Sequence, residues 1–176
     1  MSEPKPAAPA QLFFSIFARE KELIDQATKR LSEVLGKVDF QSPLLPFDQT
    51  NYYAKEFGEG LVRRFVFFEE LIPQENIVPI KHLAWRLEKQ FSPGQHRVVN
   101  IDPGYILLER LVLVTFKNFS HRLYLGNGVY GEVTLIFRHG QYEPLPWTYP
   151  DYAQEESRAI FLKARERYRR KLRHVS

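Results

Sequence analysis

The chain has no cysteine among its 176 residues, and this absence excludes several classes of protein. Without thiols it has no disulfide scaffold, no thiolate metal site and no cysteine nucleophile, which fits a reducing cytoplasm. Glycine is scarce, with nine residues against 14% aromatics, so collagen-like and low-complexity chains are excluded too. No apolar run reaches the roughly 18 residues that a membrane-spanning helix requires. With 44% hydrophobic residues, a chain of this length predicts one globular domain.

The order of predicted elements indicates an α+β fold. Residues 1–10 are rich in Pro and Ala, lack the features of a signal peptide and predict a flexible leader, and residues 11–176 form the single domain. Strands are predicted at Gln11–Ala18, Leu61–Leu71 and Val98–Ile101, helices at Glu20–Leu35, within Pro73–Phe91 and at Tyr152–Arg173, and a meander at His121–Leu145. Val38–Phe47 contains two prolines and fits either an edge strand or an irregular loop. Ile106–Phe116 fits either a strand or a short helix followed by a strand. We expect a mostly antiparallel sheet with helices packed on one face, a ferredoxin-like βαββαβ core extended by a C-terminal hairpin and helix.

Charge is concentrated near the C-terminus of a chain whose formal net charge is +4. Segment 158–174 holds eight Lys or Arg against the single acid Glu166, so it carries +7 and the remainder carries −3. An apolar stripe at helical spacing predicts that this segment docks on the domain. Its basic arc is either a solvated face or a surface for nucleic acid. The stripe consists of Phe161, Ala164, Tyr168, Leu172 and Val175.

Three familiar binding motifs are absent or misleading. Gly126–Gly131 matches the spacing of a dinucleotide-binding loop, but an alternating strand pattern follows it where that loop requires a helix. Asn127-Gly128 within it is typical of a β-hairpin turn, so no NAD or FAD site is expected. Gly36-Lys37 lacks the other residues of a P-loop. The five histidines lack zinc-ligand spacing, and no metal site is predicted, although Mg²⁺ stays open.

Several phrases together resemble a known bacterial family. They include Val99–Tyr105, Ser120–Tyr130, Glu132–Leu135 and Pro146–Tyr152, together with Pro46–Asp48, Tyr52-Tyr53 and Gly58–Leu61. Across residues 10–173 the chain resembles the family catalogued as domain of unknown function 4416. The resemblance implies no particular activity, although some members carry the label GTP-binding protein. Without a P-loop or an Asn-Lys-x-Asp guanine motif, the sequence gives that label no support.

The predicted hairpin brings a histidine and a carboxylate together. A two-residue turn pairs Leu123 with Glu132, and strand alternation places His121 on the same face as Glu132 and Arg122 on the other. A carboxylate can hold a histidine tautomer and support its charge, so this pair suits acid–base chemistry. The alternative is a structural cross-strand ion pair.

Asp102 precedes a Pro-Gly pair and has two interpretations. Its carboxylate either caps a β-turn or, with Asn100, faces a ligand or Mg²⁺ beside the sheet. Lys117, His121 and Arg122 would then clamp a phosphate group. The candidate catalytic residues are His121, Glu132 and Asp102. The candidate ligand-binding residues are Asn100, Asp102, Lys117, His121, Arg122 and Glu132.

A polar, aromatic loop around Gly58 and Gly60 is a second candidate for ligand contact. Its members are Asp48, Tyr52, Tyr53, Glu56 and Glu59. Arg63 and Arg64 follow on opposite faces of a strand, so at most one of them faces a given pocket. Aromatic residues near the prolines of segment 144–150 are expected to pin the C-terminal segment rather than to stack on bases. They are Trp147, Tyr149 and Tyr152.

Three functions remain open. The first is a binding module for a phosphate-bearing ligand, a nucleotide or RNA, which rests on the basic helix and the Lys117, His121 and Arg122 cluster. The second is a protein-interaction or oligomer-forming domain. The third is a small metal-dependent hydrolase or phosphotransfer enzyme that uses Asp102, Glu132 and His121. No membrane partner is expected, and the expected location is cytoplasmic.

Overall fold

The computed structural model describes residues 1–47, 53, 56–92, 94 and 96–175. The strands are β1 (Ala10–Ala18), β2 (Val38–Gln41), β3 (Leu45–Pro46), β4 (Val62–Ile72), β5 (Val99–Ile106), β6 (Arg110–Thr115), β7 (Leu123–Gly126), β8 (Val129–Arg138) and β9 (Gln141–Pro144). The helices in these described ranges are α1 (Lys21–Leu35), α2 (Ile77–Phe91), α3 (Pro150–Ala153) and α4 (Glu155–Val175), with a 3₁₀ turn at Gln74–Asn76. None of them is long and apolar enough to cross a membrane.

The strands form one antiparallel sheet in the order β2-β4-β1-β5-β6-β8-β7, with β3 paired to β4 and β9 paired to β8. The α+β class with a mostly antiparallel sheet is therefore confirmed. Sequence and structure agree on β1, whose nine residues are all buried between β4 and β5. The undecided stretch Ile106–Phe116 supplies the end of β5 and then β6, with no helix between them.

Helices lie on both faces of the sheet, so the prediction that they pack on one face is wrong. On β4, the Arg64 guanidinium lies 2.7 Å from the Asp25 carboxylate of α1, and the neighbouring Arg63 forms an ion pair with Asp151 of α3. Because neighbouring side chains of a strand point to opposite faces, α1 and α3 lie on opposite sides of the sheet. The C-terminal helices thus cover the face that α1 leaves open.

An aromatic core holds the last helix on that second face. The Phe161 ring of α4 lies 5.2 Å from Phe13 and 4.7 Å from Phe65, and it stacks on Tyr152 at 5.6 Å. Phe161, Ala164 and Tyr168 are at most 1% exposed. The predicted apolar stripe is therefore docked on the domain at these three residues, with Leu172 packed against the core, and the side chain of Val175 lies outside the described residues.

The pairing between β5 and β6 stops at Gly104, beside Pro103. Of the two interpretations of Asp102, the turn is wrong, because Asp102-Pro-Gly continues as β5, with Asp102 opposite Ser15 of β1. Proline has no backbone N–H, and it fits here because β6 no longer pairs with β5 at this point. Strand β6 remains paired to β8 as far as Thr115, so a gap opens between β5 and β6.

The hairpin between β7 and β8 has the predicted turn but a different register. Asn127 and Gly128 have φ angles of 49° and 77°, as a tight hairpin turn requires. Leu123 pairs with Gly131, so the predicted pairing of Leu123 with Glu132 is wrong. The cause is a β-bulge at Leu125, which shifts the ladder by one residue.

Candidate functional site

The gap between β5 and β6 leads into a cavity of about 550 Å³. Side chains from both sides of the gap and from α2 line it. Of the six predicted ligand-binding residues, four line this cavity: Asn100, Asp102, Lys117 and Glu132. The other two, His121 and Arg122, contact Glu132. The structure thus brings the six residues together around one feature.

Glu132 presents a carboxylate with two differently bonded oxygens. The residue is only 3% exposed and lies on β8 opposite Leu113 of β6. Its Oε2 lies 2.6 Å from His121 Nε2 and accepts a hydrogen bond of 2.9 Å from Arg122 Nε. Its Oε1 is buried and has no hydrogen-bond partner among the described residues. One acceptor of this carboxylate therefore has no partner in the described part of the chain, on a residue that lines the cavity.

The residues behind Glu132 fix its position. The His121 ring stacks on Trp147 at 5.1 Å, and the Trp147 indole donates a hydrogen bond of 2.8 Å to the Val133 carbonyl. Arg122 also donates to the Lys117 carbonyl and to the Tyr149 hydroxyl, both at 2.9 Å. The predicted separation of His121 and Arg122 onto opposite faces is wrong, since both reach Oε2 from the segment before β7.

The Asp102 carboxylate forms the opposite wall with a lysine that the sequence analysis overlooked. Lys81 Nζ of α2 lies 3.0 Å from Asp102 Oδ1, and the Asn100 side-chain amide donates to Oδ2 at 2.5 Å. Burial by itself would raise the pKa of Asp102, but Lys81, Asn100 and Arg97 together hold it below its usual value. Asp102 is therefore an ionised, hydrogen-bonded group.

Glu88 of α2 supplies an acceptor to a backbone N–H of β5 that has no partner on β6. Its Oε1 accepts a hydrogen bond of 2.6 Å from the Ile101 backbone N–H, in the part of β5 that has no pairing to β6. Burial and the charge of Asp102 raise the pKa of Glu88 to about 7. Helix α2 therefore closes one side of the gap with polar groups.

Sequence reasoning missed Lys81 and Glu88, although a signal was present. Lys81 and Glu88 are seven residues apart, and both fall on the buried face of α2 with Ile77 and Ala84. A charged residue on an otherwise apolar helix stripe is buried only when it has a partner. That pattern predicts a buried polar site beside α2, without giving its partners.

The polar loop and Arg63 contribute to the same region. Glu56 binds Arg97 through both carboxylate oxygens, at 2.8 and 2.9 Å. Tyr53 lines the cavity, whereas Glu59 is exposed. Arg63 is the member of the Arg63-Arg64 pair that faces the cavity, and its guanidinium lies 3.9 Å from the centre of the Phe47 ring. Asp48 and Tyr52 lie outside the described residues.

The aromatic residues near segment 144–150 have two roles. Tyr152 is 3% exposed and stacks on Phe161, so it pins the C-terminal segment as predicted. Tyr149 lines the cavity, and its hydroxyl accepts a hydrogen bond from Arg122. Burial and the charge of Glu132 raise the pKa of Tyr149, with Arg122 opposing them. Its hydroxyl is therefore neutral.

Much of the basic charge of α4 binds the body of the domain. Arg167 and Lys171 both form ion pairs with Asp39 of β2, and Arg165 donates a hydrogen bond of 2.7 Å to the Leu108 carbonyl. The exposed basic residues are Lys163, Arg169, Arg170 and Arg173. The nucleic-acid surface stays a prediction that rests on these four.

The described residues contain no group of three or more His, Asp or Glu side chains that could hold a metal ion. The open Mg²⁺ alternative therefore has no ligand set in these ranges.

Comparison with known proteins gives a family and nothing finer. No curated protein and no solved structure matches the chain. The model of the family described as domain of unknown function (DUF4416) matches residues 8–168. This match covers most of the chain and agrees with the resemblance carried by the Val99–Tyr105 and Ser120–Tyr130 segments. The chain belongs to the DUF4416 family.

Proposed function

We propose that this domain binds a small organic molecule in the cavity between β5 and β6. The observation that carries the proposal is a buried carboxylate oxygen, Glu132 Oε1, which has no partner among the described residues and belongs to a residue that lines this cavity. Buried polar atoms in folded proteins are nearly always hydrogen-bonded, so an acceptor of this kind suits a ligand that donates to it. A volume of about 550 Å³ lies within the usual range of small-molecule sites.

The phosphate-bearing ligand predicted from the sequence remains part of the proposal. His121 and Arg122, two of the three predicted phosphate-binding residues, are bonded to Glu132 and would orient that carboxylate instead. A phosphate would then bind at the mouth, where Lys117 is exposed and the Arg97 side chain is 35% exposed. This arrangement favours a nucleotide whose base enters the cavity and whose phosphate stays at the mouth. The proposed location of the protein is the cytoplasm.

A ligand screen with a blocked cavity tests the proposal. Thermal unfolding of the full chain would be measured with a panel of nucleosides, nucleotides, amino acids and sugars. A ligand at 100 times its Kd adds about 2.7 kcal/mol to the free energy of unfolding, which raises Tm by several degrees. Thr115→Trp fills the cavity, and we expect it to abolish the shift. Val34→Trp places the same bulk on the exposed side of α1 and should leave the shift unchanged.

Two results would contradict the proposal. One is the absence of any stabilising compound in the whole panel. The other is a compound whose shift survives Thr115→Trp, because that compound would bind elsewhere. The phosphate arm is separate: Lys117→Ala should weaken a nucleotide and leave its parent nucleoside unaffected. Equal loss for both would remove the phosphate from the proposal.

A further inference from the structure

We propose that Glu132 selects the ligand by accepting one N–H hydrogen bond from a flat, neutral heterocycle. This inference rests on the proposed function and names the ligand class for the same cavity. The acceptor is Oε1, since Oε2 already serves His121 and Arg122. The partner must therefore present a hydrogen-bond donor at a single fixed position.

The charges around the cavity favour a neutral donor over a cation. The carboxylate of Glu132 already lies 2.9 Å from the Arg122 guanidinium, which offsets its charge. The other three carboxylates of the lining also have cationic neighbours: Asp102 pairs with Lys81, Asp151 with Arg63, and Glu88 Oε2 lies 3.7 Å from the Arg97 guanidinium. An ammonium ligand would add an uncompensated charge to a balanced set, and burying such a charge is costly. A neutral N–H donor satisfies Oε1 without that cost.

The apolar part of the wall favours a flat ring. Phe17, Phe47 and Tyr53 form one aromatic cluster, with the Phe17 ring 4.5 Å from Phe47 and 4.9 Å from Tyr53. Trp85 and Phe116 form a second group, with ring centres 6.3 Å apart. All five line the cavity. Aromatic side chains bind flat heterocycles by stacking, and a ring N–H at the edge of such a ligand would reach Glu132.

The decisive variant is Glu132→Gln, because it reverses the polarity of one atom. Of the two groups of a glutamine amide, only the oxygen can accept from Arg122 Nε–H, so Arg122 holds the amide oxygen at the Oε2 position. The amide NH₂ then takes the position of Oε1 and turns an acceptor into a donor. Glu143→Gln is the matched control, since Glu143 of β9 pairs with His139 of the preceding turn and is not in the cavity lining.

The probes are guanosine, adenosine, cytidine and uridine, each beside analogues in which a base N–H is replaced by N–CH₃. Affinity is measured by titration calorimetry of the full chain, and the unliganded Tm of each variant shows whether it folds. We expect at least one nucleoside to bind the natural chain. Its matching N-methyl analogue and the Glu132→Gln variant should each lower affinity about tenfold or more, with Glu143→Gln unchanged.

If Glu132→Gln fails to fold, the N-methyl series on the natural chain decides alone. Equal affinity for the N–H and N–CH₃ forms would overturn the inference, as would full affinity in a folded Glu132→Gln variant. Binding of no nucleoside would also overturn it. The proposed function fails on a separate result: no compound in the panel, of any class, gives a thermal shift that Thr115→Trp abolishes.

Discussion

The two ends of the sheet are built on different principles. At the β2 end, the strand edge is covered, because Arg167 and Lys171 of α4 reach over it to Asp39. At the β7 end, Leu123 and Tyr124 are 74% and 63% exposed on a strand with no neighbour beyond it in the described sheet. The cavity lies between these two ends, at the gap between β5 and β6.

This difference separates stability from binding. The covered end is held by packed rings and by strands buried on both faces, which raise the free energy of unfolding. The open end gives up part of the β5–β6 ladder to make room for a cavity, and α2 replaces the lost pairing with Glu88. Sites for ligands are commonly drawn from the less stable parts of a fold. The comparison predicts large effects of substitution at the first end and small ones at the second.

The largest effect is expected for Phe161→Ala. This ring is fully buried among Phe13, Phe65 and Tyr152, so its removal leaves a cavity and should lower the free energy of unfolding by about 3–5 kcal/mol. Urea unfolding followed by circular dichroism measures it. Phe119→Ala, at a residue 63% exposed, is the matched control and should change stability by less than about 0.5 kcal/mol. If the two variants lowered the free energy of unfolding by similar amounts, the idea that one end of the sheet carries the stability would be wrong.

Glu88→Gln tests the boundary between the ends through pH. The pKa of Glu88 is raised from 4.5 to about 7, so the native state binds its proton more tightly than the unfolded chain. Its contribution to stability is therefore fully present below pH 4.5 and is lost as pH rises through about 7. The loss amounts to roughly 3 kcal/mol, and the neutral amide, which still accepts the Ile101 N–H, should avoid it.

Urea unfolding at pH 5, 6, 7 and 8 would follow this titration. We expect the natural chain to lose stability across the series more steeply than Glu88→Gln, which becomes the more stable of the two at pH 8. Glu33→Gln, on the exposed side of α1, controls for the removal of a carboxylate as such. Parallel pH curves for the natural chain and Glu88→Gln would show that Glu88 does not titrate in this range.

Gly104→Ala tests the close packing at the last residue where β5 pairs with β6. A Cβ there would lie 2.6 Å from both the Phe13 ring and the Val112 carbonyl oxygen. The backbone oxygen cannot yield without disturbing β6, so we expect a loss of about 1–3 kcal/mol in urea unfolding. Gly94→Ala is the control, since nothing lies within 4 Å of its Cβ position. A neutral Gly104→Ala would mean that β6 is free to move at this point.

The sequence predicts the local elements well because their signals are local. Each signal depends on a few neighbouring residues: the nearly continuous apolar run of Gln11–Ala18, the helical stripe before Gly36 and the Asn127-Gly128 turn. Contact between His121 and Glu132 was also predicted. Its actual geometry differs, because a bulge at Leu125 shifts the register, and no residue type marks that bulge.

The cavity could not be predicted because it depends on tertiary structure. Local preference favours a turn at Pro103, after Asp102, which is one of the two interpretations that the sequence allows. Only the position of β6 shows that a proline is tolerated within β5. Lys81 and Glu88 come from a helix that precedes β5 in sequence, and nothing in their spacing identifies Asp102 or Ile101 as partners.

The smallest effect is expected for Leu123→Lys at the open edge. The side chain is 74% exposed and the edge has no neighbouring strand in the described sheet, so a charged residue costs no burial there. We expect the free energy of unfolding to change by less than about 0.5 kcal/mol, measured by urea unfolding. Solubility should rise, because lysine protects exposed strand edges from pairing with other chains. Val38→Lys on the half-buried edge strand β2 is the paired measurement and should cost more, since that side chain packs against the core. An equal cost at both positions would show that the two ends of the sheet are protected alike.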